Sequence, residues 1–212
     1  MEGTNPAGEA KRARVLRATW MAILLGLALE LVIATAANLQ GTAWEPVRGF
    51  ASAAQRVSWS VLLCALLAWA QTLHPPSALR SGLAGLLGAP IAAIAARAVH
   101  KGVLQAASAA PATSAGVPWS LIAVRALEYL LLGFLSARLA SRGARAHLGL
   151  GLAVGGLGLS MQLLLTAAES TLPGIGGLFL LATNELLFPA GCAMVLYAAG
   201  AKQRRAPAAS PA

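Results

Sequence analysis

The sequence lacks aspartate altogether and has few charged residues of any kind. All seven acidic residues are glutamates, which excludes metal sites and nucleophiles built on aspartate. Charged residues make up 11% of the chain, against about 25% in globular proteins, and hydrophobic residues make up 58%. A soluble fold this apolar would have too few charges to cover its surface, and a disordered chain would be less hydrophobic. The composition therefore predicts an integral membrane protein whose main partner is the lipid bilayer.

Histidine, cysteine and enzyme motifs are also scarce. The three histidines lie near predicted helix ends, so no interior histidine can serve as a haem ligand or as a base for Ser160. The chain contains no H-E-x-x-H, Walker or G-x-S-x-G motif. Cys64 and Cys192 lie in apolar stretches and are interpreted as packing residues rather than a disulfide or a metal pair. We therefore expect no enzyme activity, no cofactor and no metal site.

Six stretches are long and apolar enough to cross a bilayer, which requires about 20 residues in a helix. They cover residues 19–37, 57–73, 81–100, 119–139, 148–168 and 177–200. The predicted fold is therefore an all-α, polytopic transmembrane bundle with six spans. We divide the chain into a cytoplasmic basic tail (1–18), a six-helix transmembrane domain (19–200) and a cytoplasmic disordered tail (201–212).

The basic residues are distributed unevenly between the predicted loops. With the N-terminus inside, the outer loops hold only Arg48, Arg56 and Lys101. The inner segments hold Lys11, Arg12, Arg14, Arg17, Arg80, Arg138, Arg142, Arg145, Lys202, Arg204 and Arg205. Because basic residues favour the cytoplasmic side, both termini are predicted to be cytoplasmic, in a plasma membrane that is the inner membrane of a bacterium. Nucleic acid is not an expected partner, since no long basic stretch with interleaved aromatics accompanies the net charge of +9.

A cleaved signal peptide is the alternative interpretation of the first span. Basic residues, an apolar run and the sequence Ala34-Thr35-Ala36 resemble its three parts. Glu30 lies inside the apolar run and opposes this interpretation, because a charge is unfavourable in that part of a signal peptide. Cleavage would leave five spans and would place the two termini on opposite sides.

The two halves of the chain share a short pattern. Trp20 precedes Ala28-Leu29-Glu30, and Trp119 precedes Ala126-Leu127-Glu128. Pro90 and Pro189 are expected to break the third and the sixth spans. Three spans per half would invert the halves in the membrane, an arrangement found in many transporters. A 3+3 inverted repeat is therefore one interpretation, and chance similarity in a low-complexity background is the other.

Several polar residues fall inside the spans at one depth, between the midplane and the outer face. The candidate site residues are Glu30, Arg97, Arg125, Glu128, Asn184 and Glu185. A charge in the hydrocarbon layer is costly and marks a candidate functional residue. Arg125 and Glu128 are three residues apart and can pair on one helix face. Pro189 has no N–H, so the Glu185 carbonyl is expected to be free and to point, with the side chain, at a bound group.

The charge balance of this layer allows two interpretations. Three glutamates against two arginines leave one excess negative charge. Glu30 and Glu185 have no basic partner in their own spans, so they are expected to handle a proton or a cation, while the arginines balance charge or hold an anionic group. In the structural alternative, Arg125 and Glu128 only set the helix register, and Arg97 reaches the outer surface.

The leading functional hypothesis is a small transporter or permease-type subunit that binds an ion or a small solute. An energising membrane subunit would be its partner, and outer-loop residues Trp44, Glu45 and Arg48 could form a lid. The alternatives are a non-catalytic scaffold subunit of a larger complex and an intramembrane enzyme acting on lipid. A cavity reached by water and by three or more candidate residues favours transport. A closed, fully paired network favours a scaffold, and a cavity open to lipid favours lipid chemistry.

Overall fold

A computed structural model describes residues 6–41, 45–73, 77–108 and 118–205, and all regular structure in these ranges is helical. The six helices are α1 (Pro6–Leu39), α2 (Pro46–Ala70), α3 (Ala78–Ser108), α4 (Trp119–Arg138), α5 (Ala144–Ala168) and α6 (Ile175–Arg205). Each is long and apolar enough to cross a membrane. Among the described residues, the predictions of an all-α fold and of six helices that can span a membrane are confirmed, and both support a multi-pass membrane protein.

The helices extend beyond the apolar stretches that predicted them. The basic segment before residue 19, predicted as a tail, is helical from Pro6, and α6 continues to Arg205 within the predicted disordered tail. The two connections predicted to be long are also shorter than expected, because α2 begins at Pro46 and α3 continues to Ser108. Proline is well suited to the first turn of a helix, where its missing N–H costs no hydrogen bond. Hydropathy detects only the apolar part of a helix, so it does not detect a polar segment that extends the same helix.

The two intramembrane prolines do not break their helices. Both α3 and α6 run without interruption through Pro90 and Pro189, so the expected breaks are wrong. At Pro189 the reason is visible in the neighbouring helix. A Cβ at Gly155 of α5 would lie 2.3 Å from the Glu185 carbonyl oxygen, so α5 covers the backbone group that the proline leaves without a donor. The Glu185 carbonyl therefore faces a helix backbone and not a bound group, which also corrects that expectation.

The helices form a closed ring in chain order, because each packs against its sequence neighbours and α1 packs against α6. Helices α1 and α2 are antiparallel, since the Ser60 hydroxyl donates to the Ala22 carbonyl whereas the Ser52 hydroxyl donates to Glu30. Helices α1 and α6 are also antiparallel, since Arg17 contacts Ala199 and Leu25 contacts Gly191. The start of α1 and the end of α6 therefore lie together, and we call this the terminal end of the bundle.

Helices α2, α4 and α6 run parallel to one another, since Trp59 contacts Tyr129 and Gln71 contacts Ser136 further along both α2 and α4. Arg56 contacts Asn184 and Cys64 contacts Cys192, so positions advance together along α2 and α6. The starts of these three helices form the other end of the bundle, which we call the site end. The two cysteines are free and fully buried, with their Sγ atoms 3.1 Å apart.

Close backbone contacts at glycines hold neighbouring helices together. A Cβ at Gly85 would lie 1.9 Å from the Tyr129 carbonyl oxygen, and one at Gly151 would lie 2.4 Å from the Ala190 Cα. Without side chains, α3 can approach α4 and α5 can approach α6 closely enough for dense packing. Gly85 and Gly151 therefore serve helix packing.

Candidate functional site

A cavity of about 250 Å³ lies at the site end of the bundle, between α2, α3, α4 and α6. We call it the arginine cavity. Its lining residues are Ser52, Gln55, Arg56, Trp59, Ala93, Ala96, Arg97, Pro118, Leu121, Ile122, Arg125, Tyr129, Asn184 and Phe188. The side chains of Arg56 and Arg125 keep 25% and 14% of their surface exposed, so the cavity is reached from outside the bundle.

Arg125 of α4 connects two buried carboxylates. Its Nη1 donates to Glu128 Oε2 at 2.8 Å, one helix turn along, and its two Nη atoms donate to both carboxylate oxygens of Glu185 on α6. Each glutamate side chain is only 1% exposed. Two-point contact between guanidinium and carboxylate is the strongest side-chain ion pair available and fixes the orientation of both groups. The predicted Arg125–Glu128 pair is present, and Glu185 completes it.

Arg56 of α2 makes a second set of contacts. Its Nε donates to Glu30 of α1, which also accepts from the Ser52 hydroxyl at 3.0 Å. Arg56 Nη1 donates to Asn184 Oδ1 at 2.7 Å, and Asn184 Nδ2 donates to Glu185 Oε1 at 3.3 Å. The two arginine clusters are therefore joined through Asn184.

These contacts define one polar network that crosses α1, α2, α6 and α4. Its members are Glu30, Ser52, Arg56, Asn184, Glu185, Arg125 and Glu128. It includes five of the six candidate residues from the sequence, and the sixth, Arg97, lines the cavity beside it. The structure thus brings residues from five helices to one level of the bundle.

Pairing of the glutamates follows from the cost of burying charge. Glu30 and Glu185 have no basic partner in their own helices, and each is paired with an arginine of another helix. A buried carboxylate without a counter-charge would be strongly unfavourable in the bundle, so the partner had to come from elsewhere. With Arg56 included, three arginines balance three glutamates, and the excess negative charge expected from the sequence disappears.

Arg56 is the main residue that the sequence interpretation missed. It was assigned to an outer loop because the second span was predicted to begin at residue 57. Within α2 it lies one turn after Ser52, which also contacts Glu30. The signal that could have found it is Pro46 as a helix start, followed by polar side chains at helical spacing.

An aromatic layer lies one helix turn from the arginines, towards the middle of the bundle. Trp59, Tyr129 and Phe188 pack against each other with ring centroids 5.8 to 6.2 Å apart, and all three line the cavity. Each follows a polar lining residue by three or four positions on α2, α4 or α6, which places the rings about 5 Å further into the bundle. These rings separate the cavity from the apolar middle of the bundle. The buried Tyr129 hydroxyl has no hydrogen-bond partner among the described residues.

Other predicted features lie outside the cavity. Glu45 precedes the first residue of α2 and pairs with Arg48 at 2.9 Å on the surface, so both belong to a helix end rather than to a long loop. Trp44, the third member of the proposed lid, lies outside the described residues. No group of three or more His, Cys, Asp or Glu side chains in the described ranges could hold a metal ion.

Comparison of the chain with protein-family models, with characterised proteins and with solved structures finds no match. The chemistry of the site is therefore interpreted from its own geometry. Hydrogen-bond donors dominate the polar part of the lining, whereas the three glutamates lie behind the arginines. Such an arrangement presents guanidinium groups, held in place by ion pairs, to whatever enters the cavity.

Proposed function

We propose that the protein is a small transporter or permease-type subunit and that the arginine cavity is its solute site. One observation carries the proposal: Arg56, Arg97, Arg125 and Asn184, from four different helices, line a single cavity of about 250 Å³. Three of these were candidate residues from the sequence. Arg56 and Arg125 are already oriented by ion pairs and lose little freedom when a solute binds, which is how a site gains affinity.

Exposed basic side chains support an orientation for this transporter. Lys11, Arg12, Arg80, Arg142 and Arg145 are exposed and belong to the helix ends and connections of the terminal end. Basic residues favour the cytoplasmic side of a membrane, so we propose that both termini are cytoplasmic. The arginine cavity would then open outwards, in the outer half of a bacterial inner membrane. The 3+3 inverted repeat stays a prediction.

A scaffold subunit is the second candidate, and a specific observation favours it. Glu128 and Glu185 are almost fully buried and each is paired with Arg125, as in a network that only determines how helices pack. The cavity is what separates the two candidates, because a scaffold has no need of partly exposed arginines beside a space of this size.

The test uses a charge-neutral double variant, Glu30→Gln with Arg56→Gln, in purified full-length protein reconstituted into liposomes. Removing both members of the pair avoids leaving one buried charge alone. The matched control is Glu45→Gln with Arg48→Gln, the exposed pair on the same helix. The probes are protons, sodium ions, butyrate and choline. Flux is followed with pH- and potential-sensitive dyes, and binding is followed by ligand-induced thermal stabilisation, since a permease-type subunit can require its energising partner for flux.

We expect the wild type and the control to bind or move at least one probe and the double variant to lose that activity while remaining folded. Loss of thermal stability in the double variant, with no probe bound or moved by the wild type, would overturn the transporter proposal and support the scaffold.

A further inference from the structure

Building on the proposed function, we infer that the arginine cavity binds a small monoanion with a short apolar body, of the monocarboxylate class. The ligand expected in this cavity is thus an anion, and not the proton or cation that the glutamates suggested. The reason is that arginines line the cavity whereas the glutamates lie behind them.

The polar lining consists mostly of donors. Arg56, Arg97 and Arg125 present guanidinium N–H groups, and each arginine has more N–H groups than the network uses. The glutamates Glu30, Glu128 and Glu185 are absent from the lining. A cation would therefore meet three guanidinium groups, two of them paired from behind, with no carboxylate facing it, whereas an oxyanion would meet the group best matched to it in geometry and charge.

The three arginines and three glutamates of this layer sum to zero charge, so it is the local pairing of the arginines that favours one negative charge on the ligand. Arg56 is paired with Glu30, and Arg125 is paired with both Glu128 and Glu185. Arg97 has no carboxylate within ion-pair distance among the described residues. It is therefore the lining cation whose charge a ligand can pair with directly. A second negative charge would have to compete with glutamates already bound to the other two arginines.

The rest of the lining suits a short apolar group. Trp59 and Phe188 close the cavity below the arginines, and Leu121 and Ile122 line its α4 wall. The Tyr129 hydroxyl, on a residue that is fully buried, adds a donor with no partner among the described residues. The volume of about 250 Å³ is below the range of about 300–1,000 Å³ that is usual for small-molecule pockets. A ligand that fills it must be small.

The test measures binding of matched probes to the purified full chain at constant ionic strength. The monocarboxylates are acetate, butyrate, benzoate and laurate; the comparison probes are succinate, inorganic phosphate, butyramide and butylammonium. We expect butyrate or benzoate to bind best. Acetate should bind about tenfold more weakly than butyrate, because it buries two fewer methylene groups. Laurate is too long for the cavity and should bind no better than acetate, which separates a small solute from a fatty acid of the bilayer.

The Arg97→Gln variant should bind butyrate about tenfold to a hundredfold more weakly, the cost of a lost charge-assisted hydrogen bond. Arg97→Lys, which keeps the charge but not the two-point geometry, should recover part of the loss. The control is Arg142→Gln, an exposed arginine in the turn between α4 and α5, and it should bind as the wild type does.

Each outcome separates this inference from the proposed function. Binding of butylammonium, sodium or protons that depends on the Arg56 and Arg125 network would overturn the monoanion class and leave a transporter of cations. Equal butyrate binding by the wild type and Arg97→Gln would overturn the assigned role of Arg97. Absence of binding and flux for every probe, with stability changes only, would overturn both proposals.

Discussion

Helices α2, α4 and α6 are held together differently in two layers. One layer lies at the site end and the other lies in the middle of the bundle. At the site end, Arg56, Arg125 and Asn184 are joined by directional contacts between charged and polar groups. In the middle, the same helices meet through Leu63, Cys64, Leu132 and Cys192, which are fully buried. The packing of these side chains depends on how well their volumes fill the space between the helices. A residue in the middle layer can be replaced by another of similar size, whereas a residue in the polar layer has partners that cannot be left unpaired.

The largest effect is expected when Arg125 is replaced by leucine. Glu128 and Glu185 would then be buried without their counter-charge, and removal of one member of a buried ion pair costs about 3–5 kcal/mol. Thermal or denaturant unfolding of the reconstituted protein measures the loss. The triple variant Arg125→Leu, Glu128→Gln, Glu185→Gln should recover much of the stability, because no carboxylate is left unpaired. Failure of the triple variant to recover would mean that packing, and not charge, dominates this layer.

An intermediate effect is expected at the contact between α5 and α6. Gly155→Ala places a methyl group 2.3 Å from the Glu185 carbonyl oxygen, so the helices must separate, at a cost of about 1–3 kcal/mol for overpacking. The matched control is Gly156→Ala, the next residue, where a Cβ meets nothing within 4 Å. The same unfolding measurement compares the two variants. Equal stability of both would contradict the close approach of α5 to the carbonyl above Pro189.

The smallest effect is expected for the surface pair at the start of α2. Arg48 and Glu45 are 77% and 57% exposed, and exposed ion pairs contribute less than about 1 kcal/mol. Arg48→Ala should therefore leave the unfolding transition almost unchanged. A loss as large as that of Arg125→Leu would show that exposure does not separate the two kinds of ion pair in this protein.

Much of the fold follows from local sequence. Six apolar stretches predicted six helices, and glycines such as Gly85 and Gly151 lie at the close helix contacts that the structure contains. These features depend on residues near each other in the chain: hydropathy over one span, and the absence of a side chain on one helix face. The ends of α2 and α3 were predicted less well, because a helix continues beyond the lipid-facing segment that hydropathy detects.

The candidate site was predicted only in part. Position along each span grouped Glu30, Arg125 and Glu185, and the structure joins these three residues in one polar network. Their partners could not be predicted, because a contact such as Glu30–Arg56 or Arg125–Glu185 depends on how far each helix is rotated about its axis. The same rotation decided that the arginines line the cavity while the glutamates lie behind them.

By itself, the sequence determined that the chain is apolar enough for a bilayer, how many helices can span it and where each charge lies along its helix, since each of these is a property of one segment measured against the thickness of a bilayer. Only the tertiary structure decided which charge meets which and which sign faces the cavity. The reason is physical: a buried ion pair is satisfied by any partner that packing brings within reach, and packing is determined by the glycines and side chains of several helices at once.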